Sequence, residues 1–237
     1  FDFPLSYLYS DANDLKLKTT LEFLKGEFNQ DYQGFDNERY SIFTASLQPQ
    51  YQFSYLDFSV KAGLKIYASL DFTNKANNFL IYPNLDISTP IVKNYVSLYA
   101  GVSGDLKTNT YSNFVDDNPF VSPTLFITQT SENYNYFLGF NGKITNSINF
   151  NVKGAYKFEE DKPLFISNNS KSDGTNTTDA NNNLKGFEYG NSFSIFYDDV
   201  KTISIFSEVE YDVSERISFG FSGQYDQFTP TNNSEAW

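Results

Sequence analysis

An all-β fold of long antiparallel strands is the architecture this sequence predicts, and three observations predict it. Apolar and polar residues alternate at period two over stretches much longer than an ordinary strand of about 5–6 residues. No stretch repeats its apolar residues with the 3.6-residue spacing of a helix. The connections between the alternating stretches are short and long by turns.

The longest alternating stretch is "LDFSVKAGLKIYASLDF", Leu56–Phe72. One set is Leu56, Phe58, Val60, Ala62, Leu64, Ile66, Ala68, Leu70 and Phe72; the other runs Asp57, Ser59, Lys61, Gly63, Lys65, Tyr67, Ser69, Asp71. Such a strand has one face in oil and one in water, and at about 3.3 Å per residue it would span roughly 55 Å. Tyr40–Phe53 sets Phe43, Ala45, Leu47 and Tyr51 against Thr44, Ser46, Gln48 and Gln50. Asn94–Lys107, Tyr134–Ile144, Ile148–Glu159, Ile203–Val213 and Ile217–Phe228 repeat the pattern, and Leu15–Lys25 and Phe79–Thr89 carry it more weakly. Pro49 and Pro83 fall inside two of these stretches, where a missing N–H predicts local irregularity. Phe1–Asn13 reads as a loop or as the end of a further strand. The expectation is about nine strands and no helix.

Tight links are expected at Ser54–Asp57, Pro90–Lys93, Thr145–Ser147 and Ser214–Arg216, and long ones at Gly26–Arg39, Thr73–Asn77, Thr108–Asn133 and Glu160–Asn191. Short turns at one end and long polar loops at the other describe an antiparallel, up-and-down transmembrane barrel of the outer-membrane kind. Crossing lipid takes about 9–11 strand residues, and the wall must close because an unpaired edge in hydrocarbon costs several kcal/mol per group. Tyr51, Phe53 and Tyr55 near one end, with Phe72, Phe79, Tyr134, Tyr136, Tyr156 and Phe158 near the other, would form aromatic girdles. Bacterial barrels have an even number of strands, so an odd count predicts further strands before Phe1, beyond Trp237, or both. Residues 1–237 therefore read as one incomplete barrel domain, with 160–191 as a long extracellular loop.

Composition narrows function by exclusion. Among 237 residues there are 25 Phe and 18 Tyr but no Cys, Met or His, so thiol chemistry and histidine-based acid–base catalysis have no residues to use. A net charge of -12 without basic clusters argues against nucleic acid. A negative mean hydropathy says little here, because a barrel wall averages its lipid-facing and water-facing sets.

Candidate sites are few. Asp116, Asp117, Asn118 and Phe120 sit in "DDNPF", with Phe120 and Phe126 placed to pack the loop down. Carboxylate and amide oxygens there suit calcium or a carbohydrate; equally, they suit a turn capped by Asp and Asn. Asp173, Asn176 and Asp179 lack the spacing of a calcium-binding loop and read as an acidic surface loop. Lys61, Lys65, Lys153, Glu208, Glu210, Asp212 and Arg216 fall on the water-facing set, either as ligand contacts or as a hydrated interior of mixed charge. No catalytic constellation is visible, so the expectation is no enzyme and no cofactor, with calcium in the extracellular loops the one open possibility.

The stretches "DDNPFVSPTLFI" (116–127), "YNYFLGFNGKITNSINFNVKGAYKFEEDKPLF" (134–165), "YGNSFSIFYDDVKTISIFSEVEYDV" (189–213) and "EAW" (235–237) resemble the C-terminal barrel of TonB-dependent-receptor-like proteins of Bacteroidota, of the flavobacterial type. The resemblance implies a Gram-negative outer-membrane location, contact with membrane lipid, import of a bulky ligand, and coupling to TonB through a plug domain. Neither the plug nor a TonB box occurs in these residues. Some barrels of this kind serve instead as accessory subunits beside other outer-membrane proteins or lipoproteins in secretion, assembly or surface display.

Overall fold

The computed structural model describes residues 2–10, 13–28, 39–122, 125–167, 192–214 and 217–232. They form β1 (Asp2–Ser10), β2 (Asn13–Glu27), β3 (Arg39–Tyr55), β4 (Phe58–Asp71), β5 (Ala76–Val92), β6 (Val96–Thr108), α1 (Tyr111–Asp117), β7 (Gln129–Thr145), β8 (Ile148–Ser167), β9 (Phe193–Ser214) and β10 (Ile217–Pro230). The ten strands make one sheet in sequence order, and each pairs antiparallel with the next. The fold is thus the all-β, up-and-down sheet expected. The count is ten rather than nine because Asp2–Ser10 is a strand, held to β2 by pairs such as Phe3↔Thr19 and Leu5↔Leu17.

Several boundaries move. Tyr55 pairs with Phe58, which puts Leu56 and Asp57 in the turn. Leu56, read as the first apolar residue of a strand, sits there at φ 55 and 82% exposed. Thr73–Asn77, expected as a long link, is a tight turn between Asp71 and its partner Ala76, capped by Asp71 Oδ1 accepting from the Thr73 and Asn74 amides at 2.9 Å. β7 begins five residues earlier than the pattern suggests, at Gln129, and β8 runs on through the start of the expected 160–191 loop to Ser167. The remainder of that loop, 168–191, with Asp173, Asn176 and Asp179, lies outside the described residues.

Period-two alternation survives as two faces. Phe58, Leu64, Leu138, Ile205, Phe219 and Phe221 are exposed on one side, and the girdle residues Tyr51, Tyr55, Phe72, Phe79, Tyr134, Tyr136 and Tyr156 share it. The opposite face holds Thr44, Ser46, Tyr67, Ser69, Tyr82, Glu159, Val200 and Thr202, all buried by neighbours across the sheet. That burial comes from curvature. Gln129 of β7 donates from Nε2 to Thr44 Oγ1 of β3 at 2.9 Å and accepts at Oε1 from Ser69 Oγ of β4 at 2.5 Å. In a flat sheet β3 and β7 would stand about 19 Å apart, four strand spacings, so the sheet curls around the polar face at its loop end.

Both prolines are absorbed locally. Pairing of β3 with β4 is interrupted opposite Pro49, between Leu47↔Ile66 and Gln50↔Gly63, yet resumes in the same register. β5 pairs with β6 only up to Asn84↔Ser103, one residue short of Pro83. Gly139 has a different task. Tyr99 of β6 crosses over it to donate its hydroxyl to Asn151 Oδ1 of β8 at 2.7 Å, and a Cβ at 139 would lie 2.4 Å from the Tyr99 ring and 2.6 Å from the Val152 carbonyl. Gly139→Val is expected to expel Tyr99 and destabilise the fold by about 1–3 kcal/mol in a denaturant titration, the usual range for overpacking.

Candidate functional site

The loop between β6 and β7, residues 109–128, folds across the curl instead of projecting from it. The sequence reading expected no helix, but α1 is present, started by Thr110, whose side chain accepts from the Asn113 amide at 3.2 Å. Seven residues are too few to show an amphipathic period, which explains why the pattern did not reveal it. Phe114, Val121, Leu125 and Ile127 form a buried cluster. Leu24 of β2 and Tyr40 of β3 pack on it from one side, Phe165, Ile195 and Tyr197 of β8 and β9 from the other. A loop rooted between β6 and β7 that touches strands at both flanks of the sheet must span the open loop end.

Polar bonds pin the same segment. Phe193 and the strap exchange backbone bonds, Ser122 N to Phe193 O at 2.7 Å and Phe193 N to Phe120 O at 3.0 Å. Asn109 Nδ2 donates to Thr128 O at 2.9 Å and to Thr130 Oγ1 at 2.8 Å, closing the loop's base. Tyr197, near the loop-end start of β9, donates to Phe126 O at 3.0 Å, and its burial pushes the phenol pKa up to about 12. The expectation that Phe120 and Phe126 pack the loop down holds for one of the two: Phe126 sets its ring edge-on against Tyr197 at 6.1 Å, whereas Phe120 is exposed, and Phe114, Val121, Leu125 and Ile127 form the buried cluster. Phe114→Ala is therefore expected to free the strap and to speed protease cleavage within 109–128 at least tenfold. Phe120→Ala, removing a side chain 67% exposed, should leave that rate unchanged.

Below the strap lies an ion cluster. Glu159 of β8 meets Lys107 at 3.0 Å, Lys157 at 3.2 Å and Lys162 at 2.7 Å, while Lys107 also holds Glu132 at 2.7 Å. Lys107, Glu132 and Lys162 were missed because the sequence reading placed Lys107 at a strand end and the other two inside loops. Bulges between Glu132 and Tyr134 and between Glu159 and Lys162 break the alternation there.

The expected site residues are dispersed. Asp116 and Asp117 are exposed at the end of α1. Asn118 caps the turn, its Oδ1 accepting from the Phe120 amide at 3.0 Å. Lys65 of β4 pairs with Asp105 at 2.9 Å, and the Tyr67 hydroxyl donates to the same carboxylate. Lys61 faces Asp86 across β4 and β5. Lys153 stands over the Phe137 ring at 5.0 Å. Glu208 and Glu210 pair with Asn151 and Asn149 on β8 and with Ser222 and Gly220 on β10; Asp212 pairs with Ser218. Arg216 lies outside the described residues. Among the described residues no group of His, Cys, Asp or Glu is arranged to hold a metal ion.

A curled, antiparallel wall with tight turns at one end, a strapped mouth at the other, an apolar outer face and a polar inner face is the fold of outer-membrane barrel transporters. No helix among the described residues is long and apolar enough to cross a membrane, which says nothing about strands. No protein-family model and no curated protein matches the chain. Solved structures do. The copper transporter OprC matches all of this chain at a TM-score of 0.62 and 10% identity. The FrpB iron transporter from Neisseria meningitidis (F3-3 variant) gives the same two values, and a chain of the FpvAI–pyocin S2 complex matches 98% of this chain at 0.54 and 12%. The present chain spans 38%, 36% and 34% of those proteins' lengths, and at such identities the likeness is one of fold.

Proposed function

We propose that the chain is wall of a TonB-dependent-receptor-like outer-membrane barrel that imports a bulky ligand, its outer face in lipid and its inner face along the ligand's route. The observation that carries this reading is the match of the whole chain, at a TM-score of 0.62, to part of transporters such as OprC and FrpB. The two-faced strands support it independently, as does the confinement of the long connections, β2–β3, β6–β7 and β8–β9, to one end of the sheet, where only the β4–β5 turn is tight. Energy would come from TonB through a plug domain, a segment not found in these residues. The anchored strap would restrict the mouth, so that ligand entry depends on the neighbouring loops.

The experiment has two stages. The gene product should fractionate with outer membranes and run faster on gels before boiling than after, as folded barrels do. A strain lacking the gene should then lose growth on one bulky nutrient from a panel of metal chelates and oligosaccharides, and a strain lacking TonB should lose growth on the same one. Growth unaffected by both deletions, with the barrel co-purifying with other outer-membrane proteins or lipoproteins, would overturn import in favour of an accessory scaffold.

A further inference from the structure

We propose that a shallow trough on the outer face, between β7 and β8, together with the rim of residues above it, binds one phosphate-bearing lipid of the outer leaflet. The inference rests on the outer face lying in lipid, as the barrel reading has it, and not on import. The trough has a volume of about 540 Å³. Gly154 is its floor beside Leu138; Phe140 and Val152 bound it toward the turn end, and Tyr136 and Tyr156 toward the loop end.

Two observations set this place apart from the rest of the apolar face. The first is the glycine. Gly154 has no left-handed φ, and a Cβ added to it would meet only the Leu138 carbonyl, at 4.0 Å. Neither backbone nor packing within the chain therefore requires a glycine here, in contrast to Gly139, which Tyr99 crosses. The missing side chain leaves room for a guest. The second observation is a cation. Lys201 of β9 pairs with Phe158 of β8 and Thr229 of β10, in a row that Tyr134 of β7 extends. Its neighbour Thr202 is buried on the inner face, so Lys201 belongs to the outer one, where it is exposed. Among the described residues of β7–β10 it is the one cation on that face, and it takes part in no ion pair. A lone ammonium at the edge of an apolar band extends into the headgroup layer and favours an anion there.

The trough leads up to that cation. Tyr136, Tyr156, Ile203 and Gln227 form the adjoining row across the same four strands. Tyr156 and Lys201 stand roughly 8 Å apart on the wall, one strand spacing across and two residues along. Tyr134 and Tyr136 stack at 5.7 Å and 17°. Their hydroxyls and that of Tyr156 are bonded to no described residue, and all three side chains are exposed at headgroup height. Glu160, two residues beyond Phe158 toward the mouth, repels an anion from the far side of the ammonium. A phosphate accepts from an ammonium and from hydroxyls at once, and an acyl chain hanging below it fills an apolar trough. A phospholipid carries both parts in that order.

Native mass spectrometry of the full-length protein in a neutral detergent would titrate dimyristoyl phosphatidate, dimyristoylglycerol and inorganic phosphate as separate probes. Phosphatidate should bind at least tenfold more tightly than either of the others. Lys201→Gln should lower its affinity about tenfold, to the level of dimyristoylglycerol. Gly154→Leu, which fills the trough, should weaken phosphatidate and dimyristoylglycerol alike. Lys25→Gln, which removes an outer-face cation of β2 on the other flank of the sheet, should change neither. Equal binding of phosphatidate and dimyristoylglycerol, an unchanged affinity in Lys201→Gln or Gly154→Leu, or the same loss in Lys25→Gln would each overturn the site. So would a second outer-membrane protein that co-purifies with the wild type and is lost in Gly154→Leu, since a protein would then cover the trough. The unboiled gel mobility of each variant separates these results from misfolding. A protein that fractionates with outer membranes but shows no preference for phosphatidate refutes the lipid site alone, and failure to fractionate refutes the barrel on which it rests.

Discussion

Leu138→Arg is expected to destabilise the protein by about 2–4 kcal/mol when it is folded into lipid vesicles, the cost of a cation on the lipid face near the bilayer midplane. Leu138 lies midway along β7 on the outer face, 54% exposed, opposite Ala100 on β6 and Gly154 on β8. In a water-soluble protein, an arginine at so exposed a position would shift stability by no more than about 0.5 kcal/mol, so the size of the effect reports what surrounds the outer face. Ser222→Arg supplies the contrast. Ser222 is on the inner face of β10 beside Glu208, where an arginine meets water and a carboxylate, and its stability should stay within about 0.5 kcal/mol of wild type. Urea titration of both variants in vesicles is the measurement. Equal effects would remove lipid from the outer face.

Glu159→Gln is expected to cost about 3 kcal/mol in the same titration. The Glu159 side chain is 4% exposed and meets three ammonium groups, so removing its charge takes from Lys157 and Lys162 their ion pair and leaves Lys107 with Glu132. Breaking a buried ion pair from one side costs roughly 3–5 kcal/mol, and the partial exposure of the three lysines places this case at the lower end. Glu27→Gln, which removes a pair with Arg39 at 3.9 Å between two exposed side chains, should cost no more than about 1 kcal/mol. Similar losses in the two variants would mean that the cluster is open to water and that the strap above it does not seal the mouth.

The two cases differ in how far the sequence revealed them. Leu138 was assigned to the outer face from alternation alone, and so were Phe58, Leu64 and Phe219, because neighbouring side chains in a strand point to opposite faces whatever lies around them. Glu159 was placed in its strand, but its partners were not. Glu132 and Lys162 lie past bulges, where one extra residue reverses the alternation and the next residues read as loop. Leu56 belonged both to the apolar series and to the expected Ser54–Asp57 link, and the Tyr55↔Phe58 pairing decides for the link. The strap is a third case. "YSNFVDDNPF" shows a turn signal but gives no sign that Phe114 is buried while Phe120 is exposed.

Local chemistry by itself determined which side of each strand is greasy, where the chain reverses, and that the strands follow one another as neighbours, since all three depend on residues close together in the chain. Only the three-dimensional fold decided which distant residues meet: Gln129 with Thr44, Lys107 with Glu159, and the Phe114 cluster with Tyr40 and Tyr197. Those meetings require the sheet to bend, and bending is a property of all ten strands acting together, which no single stretch of residues encodes.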